Sequence, residues 1–292
     1  MHRILLAAAA VAFSSIFALA ADIPAPVYKA PPPVVAPVSF SWTGFYITGS
    51  VGYGWGNSGD IDPSASVGFV SAIPGSVPTT ATMAAVVPGS LPISPRGFVA
   101  GGGFGYNYQV DRVVWGLEAD FSAANIKGSQ SGGASAIIPG FAPDAVTSMA
   151  MASQKLDFLG TVRGRLGITA TDRLLVYGTG GLAYAHVSSS TTVSEVETPP
   201  ATLVTITPAN GSASTMRVGW VAGAGLEWAW SSQWSVKTEY LHYDLGTLNY
   251  SAGTLVGFTG GAPPPGLFGT VNVASSTRFR GDIARVGINY KF

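Results

Sequence analysis

The chain of 292 residues contains no cysteine, so disulfide bonds, thiolate nucleophiles and cysteine-ligated metal sites are excluded. Charge is also scarce: 10% of the residues are charged, against about 25% in a typical soluble domain. The 15 Lys and Arg residues balance the 15 Asp and Glu residues, which leaves no basic excess for binding nucleic acid. No cluster of metal-ligating residues is visible. The composition therefore predicts neither a nucleic-acid-binding protein nor a metalloprotein.

Long apolar runs are absent after the first 20 residues. None reaches the roughly 18 uninterrupted apolar residues of a membrane helix. The strongest candidate, "VGWVAGAGLEWAW" at 218–230, is too short and contains Glu227. If this chain crosses a membrane, it must do so as a closed β-barrel.

The first 41 residues have the composition of processing and linker segments. Residues 1–20 combine a short basic start, an apolar run and a small-x-small pattern, which predicts a signal peptide. A membrane anchor is the alternative. Residues 21–41 are rich in proline, which favours an extended periplasmic linker. This leaves 42–292 for the folded domain.

From residue 42 the hydrophobic pattern has a period of two. It predicts eight strands, at 44–55, 97–110, 113–123, 155–168, 174–187, 216–230, 234–243 and 277–292. Their connections alternate between short turns and long segments, the long ones being 57–96, 124–154, 188–215 and 244–276. This rhythm is typical of a membrane barrel. We predict an all-β fold, an eight-stranded antiparallel up-and-down transmembrane barrel with four long extracellular loops. A hairpin inside the first loop, which would raise the strand count to ten, and the facing of the fifth strand stay open.

The aromatic residues sort towards the two ends of these strands, as expected for two membrane-interface belts. One group falls at the short turns: Trp42, Phe45, Tyr106, Tyr108, Trp115, Trp228, Trp230, Trp234, Tyr290 and Phe292. The other falls towards the long loops: Tyr53, Trp55, Phe98, Phe121, Tyr240 and Phe279.

Charged residues alternate with the apolar ones and are predicted to face the barrel interior. They are Glu118, Asp120, Asp157, Arg163, Arg165, Arg217, Glu227, Lys237, Glu239 and Arg285. Charges buried in so narrow a barrel must be paired, because an isolated buried ion costs several kcal/mol. We expect a salt-bridged, plugged interior, with a narrow ion path as the alternative.

The sequence supports an enzymatic function less well than a structural barrel. Glu118 and Asp120 could act as an acid–base pair, but they fit the interior network better. His186 and His242 lie near the loop-side ends of strands without a nucleophile motif. The sequence thus predicts no enzyme and no cofactor. The charge-poor loops suggest a variable surface, with an adhesive surface or an apolar-ligand pocket as alternatives.

Several stretches together resemble a known family. They are "FSWTGFYITGSVGYGW", "LLVYGTGGLAY", "WSVKTEYLHYDLG" and the final "VGINYKF". The chain resembles the small outer-membrane surface antigens of alphaproteobacteria, often labelled porin-family proteins and similar to the transmembrane domain of outer membrane protein A.

The resemblance implies an outer-membrane location, with extracellular loops and periplasmic termini. It implies contact with outer-membrane lipids and lipopolysaccharide, and a role in envelope integrity and surface interaction. Some members bind haem, so haem is a candidate ligand here, as is a host-surface ligand. No haem-ligating residue can be transferred to this chain. Tyr290 and Phe292 of the final strand resemble the signal read by the barrel-assembly machinery.

Overall fold

The computed structural model describes residues 40–56, 60–198, 204–259 and 266–292, all within the unit Ser39–Phe292. The predicted signal peptide and all but the last two residues of the predicted linker lie outside these ranges. The described residues form ten strands and one helix. Their bounds are β1 (Gly44–Gly56), β2 (Ile61–Val70), α1 (Ser76–Ala85), β3 (Arg96–Val110), β4 (Val113–Ile137), β5 (Ala145–Thr171), β6 (Leu174–Thr198), β7 (Val204–Thr207), β8 (Ala209–Ala229), β9 (Trp234–Thr259) and β10 (Leu267–Lys291).

Eight of these strands close into a ring. Its order is β1-β3-β4-β5-β6-β8-β9-β10, and β10 pairs again with β1. Val51 of β1, for example, lies opposite Ala100 of β3 on one side and Val286 of β10 on the other. Closure leaves no free sheet edge around the ring. The predicted all-β barrel of eight antiparallel strands is confirmed.

The two ends of the barrel differ strongly. Short turns such as 111–112 and 172–173 join strands at one end, here called the turn end. The opposite end, here called the loop end, is built mainly of strand. The segments 124–154, 188–215 and 244–276, expected as loops, instead continue the strands for most of their length. β5 alone has 27 residues, which is roughly 90 Å of extended chain.

The strand extensions were hard to recognise because their inward residues are small. In β5, Val146, Ser148 and Ala150 are buried, while Thr147 and Met149 are exposed. The period of two persists, but the contrast between the two faces is weak. The pattern therefore resembles a polar loop although each segment pairs as a ladder.

The first long segment adds two elements at the loop end. β2 pairs with residues 269–277 of β10, beyond the part of β10 that pairs with β1. The helix α1 follows β2 and buries Met83, and the next residues bury Val86 and Leu91. The question of eight or ten strands is thus resolved as a ring of eight, with β2 and the short β7 added at the loop end. Among the described residues, no helix is long and apolar enough to cross a membrane.

The inward side chains form an apolar cluster near each end of the barrel and one between them. Trp42, Val114, Leu175, Tyr177 and Ala229 pack together at the turn end. A middle cluster includes Leu159, Val221, Phe279 and Ile283. At the loop end, inward residues of five ring strands meet Ile61, Met83, Val86, Leu91 and Ile93 from the first long segment.

Two residues predicted for the aromatic belts face the interior instead. Trp42 is buried under the turn end, with its ring 4.9 Å from that of Phe40. It precedes β1, so the strand alternation does not fix its direction. Phe279 is buried because odd-numbered positions of β10, such as Ile283 and Arg285, face inward.

Candidate functional site in the barrel interior

Charged residues at inward-facing positions of five ring strands meet near the turn end. The strand register brings Glu118 of β4 opposite Arg163 of β5. It also brings Glu239 of β9 opposite Arg285 of β10. Because side chains alternate across each strand, the inward positions of one level converge on the barrel axis.

Arg163 lies at the centre of this group, and its side chain is fully buried. Its Nη2 atom is 2.6 Å from Glu118 Oε1 and 2.8 Å from Asp120 Oδ2. Its Nε atom donates a hydrogen bond to Thr161 Oγ1. One guanidinium therefore links two carboxylates of the neighbouring strand, a geometry that its planar donors favour.

Two further cations pair with these carboxylates and with Glu239. Arg285 Nη2 is 2.6 Å from Glu239 Oε2 and 3.0 Å from Asp120 Oδ2. Lys237 Nζ is 2.8 Å from Glu118 Oε1. Contacts thus cross the interior between strands that are not neighbours in the ring, which ties opposite walls together.

Arg165 forms the part of the group closest to the turn end. Its Nη2 atom is 2.6 Å from Glu227 Oε2. Its guanidinium lies over the Tyr177 ring, 3.9 Å from the ring centroid, a favourable cation–π contact in a desolvated site. Glu227 Oε1 also accepts hydrogen bonds from Ser235 and Asn289.

We call these eight residues the charge network. They are Glu118, Asp120, Arg163, Arg165, Glu227, Lys237, Glu239 and Arg285, and all are buried. Four carboxylates meet four cations, so the network is neutral when all eight are ionised. Burying charges is costly, and pairing with additional hydrogen bonds offsets that cost.

Two tyrosines that the sequence did not assign to the site complete the network. Tyr46 donates a hydrogen bond of 2.7 Å to Glu118, and Tyr177 donates one of 2.8 Å to Glu239. Tyr177 could not be assigned because the facing of the fifth strand was ambiguous. In the structure Leu175, Tyr177 and Ala183 of β6 face inward. For Tyr46, the available sequence signal is its alternation with the apolar Phe45 and Ile47, which face outward in the structure.

Asp157 was predicted for this network, and the structure contradicts that assignment. The β5–β6 register shifts between Leu156 and Phe158, so a β-bulge reverses the alternation at this point. Asp157 therefore points outward with Lys155, with which it forms an ion pair. His186 Nδ1 lies 3.0 Å from Asp157 Oδ2, and Ser214 Oγ lies 3.1 Å from His186 Nε2.

Arg217 also lies outside the network. It is on β8, ten positions from Glu227, which corresponds to roughly 33 Å along the strand. Its guanidinium donates to the backbone oxygen of Thr247 on β9. The strand alternation was read correctly there, but distance along the strand separates the two groups.

The other titratable residues that the structure describes do not form a metal centre. No group of three or more His, Asp or Glu side chains suited to a metal ion occurs among the described residues. His242 Nδ1 is instead 2.7 Å from Asp282 Oδ1, which also accepts a hydrogen bond from Tyr240.

Comparisons with known proteins agree with this geometry. A family model described as "Outer membrane protein beta-barrel domain" matches residues 6–292. The chain belongs to this outer-membrane β-barrel family.

Curated relatives and solved structures of similar proteins come from several Gram-negative bacteria. The 31 kDa outer-membrane immunogenic protein of Brucella melitensis is 35% identical over 300 residues, covering 100% of both chains. The 25 kDa outer-membrane immunogenic protein of Brucella abortus is 27% identical, covering 89% of this chain and 86% of the relative. The outer membrane protein OprG of Pseudomonas aeruginosa aligns over 87% of this chain and 98% of its own, with 11% identity and a TM-score of 0.37.

An outer-membrane barrel needs an apolar band facing lipid, and the ring has one. Residues such as Ile47, Leu117, Val162, Leu182 and Val286 are exposed on its outside. Exposed aromatics border this band at the turn end, including Phe45, Trp115, Trp228, Trp234 and Phe292. Tyr53, Phe98, Phe121 and Tyr240 border it towards the loop end. About 9–11 residues of each strand suffice to cross a bilayer, so the loop-end extensions lie beyond the membrane.

Glu195 is a buried carboxyl in one of these extensions. It lies opposite Ser148 at an inward position of β6, beside the apolar loop-end cluster. Burial raises the pKa of Glu195 to about 8, and the neighbouring Ser148 hydroxyl only partly offsets this. The carboxyl is therefore mostly protonated at neutral pH in the folded protein.

Replacing Arg163 should destabilise the barrel strongly. Arg163→Met removes the cation shared by Glu118 and Asp120 and leaves the buried network with one uncompensated negative charge. Removing one member of a buried ion pair costs about 3–5 kcal/mol. The measurement is urea unfolding of the refolded protein in lipid vesicles, followed by tryptophan fluorescence. Lys155→Met is the matched control, because its exposed ion pair contributes about 1 kcal/mol or less. Equal unfolding free energies for both variants would show that the network does not stabilise the fold.

Glu195 should make the loop end less stable as the pH rises. Its folded pKa of about 8 exceeds the ordinary value of 4.5, so the folded state is favoured below pH 4.5 and loses that stability between pH 4.5 and 8. Glu195→Gln should remove this dependence and stabilise the loop end by about 1–3 kcal/mol above pH 8. Hydrogen exchange of residues 190–198, measured at several pH values with exchange rates corrected for pH, tests this. A pH dependence unchanged by the substitution would contradict the assignment.

Proposed function

We propose that this protein is a closed, non-conducting barrel that contributes to envelope integrity and presents its loop end as an interaction surface. The observation that carries the proposal is the filling of the interior at three levels. The lower level is the charge network, the middle level is the apolar cluster that includes Phe279 and Ile283, and the upper level is the apolar loop-end cluster. A continuous aqueous channel would have to pass all three.

The lower level resists opening because its charges are matched. Arg163, Lys237 and Arg285 together contact Glu118, Asp120 and Glu239. Moving one side chain to admit water or an ion breaks several contacts at once. An interior of eight strands is just wide enough to be filled by side chains, which favours a structural role over an ion path.

The upper level is closed by the first long segment. Met83 of α1, with Val86, Leu91 and Ile93, packs against inward residues of the strand extensions such as Val271. The helix has ten residues and no side-chain cap at its N-terminus. A helix that short is marginal alone, so its packing in the barrel mouth is what stabilises it.

The loop end is the surface that we propose faces the cell exterior. Short turns on the periplasmic side and long extensions outside are the usual arrangement of such barrels. Gly44 and Lys291, at the outer limits of β1 and β10, both lie at the turn end. We therefore propose that both ends of the barrel chain face the periplasm. Haem or host-surface ligands remain candidates for the loop end.

We also propose that the protein is not an enzyme. The charge-network carboxylates are committed to ion pairs and hydrogen bonds. Asp157, His186 and Ser214 are hydrogen-bonded in series, but they lie on the outward face rather than in a closed pocket, and Asp157 is shared with Lys155. An ester-hydrolysis assay of wild type and Ser214→Ala tests this point, and turnover lost in the variant would overturn it.

Planar-bilayer recordings test the closed interior. We expect the wild type to give no steady conductance. Glu118→Ala with Arg163→Ala opens only the lower level, and replacing residues 76–93 by a Gly-Ser linker opens only the upper one. Each change alone should stay silent, because the middle cluster around Phe279 and Ile283 also fills the interior. The combined variant should conduct when Phe279→Ala and Ile283→Ala are added.

The control for this experiment is Lys155→Ala, which alters an outward ion pair and should stay silent. Tryptophan fluorescence and resistance to SDS unfolding would verify that each variant is folded. Steady conductance in the wild type would overturn the proposal and assign the network to an ion pathway.

We propose that Tyr290 and Phe292 present the assembly signal. The Phe292 amide donates a hydrogen bond of 3.0 Å to the Phe45 backbone oxygen, and its ring contacts Tyr290 at 5.2 Å. Deleting Phe292 should slow insertion by purified assembly machinery severalfold. Spontaneous refolding into detergent should change little, because only one exposed aromatic is lost. Insertion at the wild-type rate would contradict this role.

A further inference from the structure

Three cations occupy neighbouring register positions on the outside of the barrel. Arg96 of β3 lies directly opposite Lys127 of β4, and Lys127 lies directly opposite Lys155 of β5. All three are exposed. Directly opposed residues have Cβ atoms about 4.5–5.5 Å apart, so the three positive charges span about 11 Å. We call these residues the cation row.

The cation row has little compensating charge. Lys155 pairs with Asp157, while neither Arg96 nor Lys127 has an ion pair with any residue that the structure describes. Like charges placed directly opposite each other on a sheet are destabilising. In a chain with only 15 Lys and Arg residues, three of them share this one patch. Such a patch gains stability when an anion binds.

The row lies at the border of the lipid-facing band. Phe98 and Phe158, both near the loop-end aromatic belt, are two and three residues from Arg96 and Lys155 on the membrane side. Phe121 packs against Phe158 at a ring distance of 5.0 Å. The cations therefore sit where the headgroups of the surrounding leaflet begin.

A groove of mixed polarity continues from the row away from the membrane. Its volume is about 400 Å³, and it is lined by Ser129, Gln130, Ser131, Ser153, Ser190 and Thr192 together with the apolar Met151 and Ala152. Ser129 and Ser153 are each two positions beyond a lysine of the row. Hydroxyl and amide groups of this kind suit the hydroxyls of a sugar.

We propose that the cation row and this groove bind the headgroup of a phosphorylated saccharolipid. The acyl chains would lie against the apolar band, the phosphates on Arg96, Lys127 and Lys155, and the sugar in the groove. The order of apolar, cationic and polar surfaces along the barrel matches the order of groups in such a lipid. This lipid site rests on the proposed surface role, because that role places the loop end at the leaflet that carries this lipid. The site also adds a ligand to that role.

Lipid titration of the refolded protein in neutral detergent, followed by native mass spectrometry, tests the site. The probe is a diphosphorylated, acylated disaccharide, compared with its dephosphorylated form, with phosphatidic acid and with inorganic phosphate. Replacing each cation by Gln should weaken binding of the diphosphorylated probe about fivefold, and the triple variant about a hundredfold. Arg112→Gln, an exposed cation at the turn end, is the matched control and should leave binding unchanged.

The sugar contacts need their own comparison. Gln130→Ala with Ser153→Ala should weaken binding of the disaccharide lipid but not of phosphatidic acid. Equal binding of the dephosphorylated probe, an unaffected triple variant, or displacement by equimolar inorganic phosphate would overturn the proposal. An equal loss of probe binding in Arg112→Gln would also overturn the proposal, because it would show unspecific electrostatic attraction.

Orientation is tested separately, since the titration does not depend on it. The chain has no cysteine, so Ser135→Cys at the loop end and Ser231→Cys at the turn end each provide a unique label. A membrane-impermeant maleimide should label only the first in intact cells. Labelling of Ser231→Cys alone would refute the proposed surface role. The lipid titration would still test the lipid site independently.

Discussion

The pairing of backbone groups around the closed ring is the constraint on which the rest of the structure depends. Within hydrocarbon every N–H and C=O must find a partner in the protein, and the ladder between β1 and β10 supplies the last set. Closure with eight strands then fixes a narrow interior. Polar residues that alternate with the lipid-facing ones must share that interior, so each buried charge there needs a partner from another wall.

The charge network gives each buried charge a partner, and it also fixes the register of the paired strands. Glu118 meets Arg163 because β4 and β5 pair as they do, and a slip of one strand by one residue would turn its charged residues towards lipid. Arg285 and Glu239 set the β9–β10 pair in the same manner. The network therefore penalises misregistered barrels more than it adds to the stability of the correct one. This accords with the modest net value of buried ion pairs compared with apolar packing.

Sequence reasoning succeeded where the chemistry of the two faces contrasts most. In the membrane-spanning strands, Leu117 and Val162 alternate with Glu118 and Arg163, so the ring and its inner face could be predicted. It failed where contrast is weak or the backbone is irregular. The small inward residues of β5 from Val146 to Ala152 resembled a loop. A bulge turned Asp157 outward, and only tertiary packing determines that α1 enters the barrel mouth.

The cations of the charge network are paired, whereas Arg96 and Lys127 of the cation row have no ion pair with any residue that the structure describes. This difference argues that the two groups have different functions. Inside, Arg163, Lys237 and Arg285 contact carboxylates at short distance, because low dielectric makes an unpaired charge very costly. Outside, water can solvate Arg96 and Lys127, so no partner is required for folding. Their placement in one register row is then not explained by stability of the barrel alone. A leaflet with phosphate groups at the same height would make that row favourable, whereas the network would be unaffected by its surroundings.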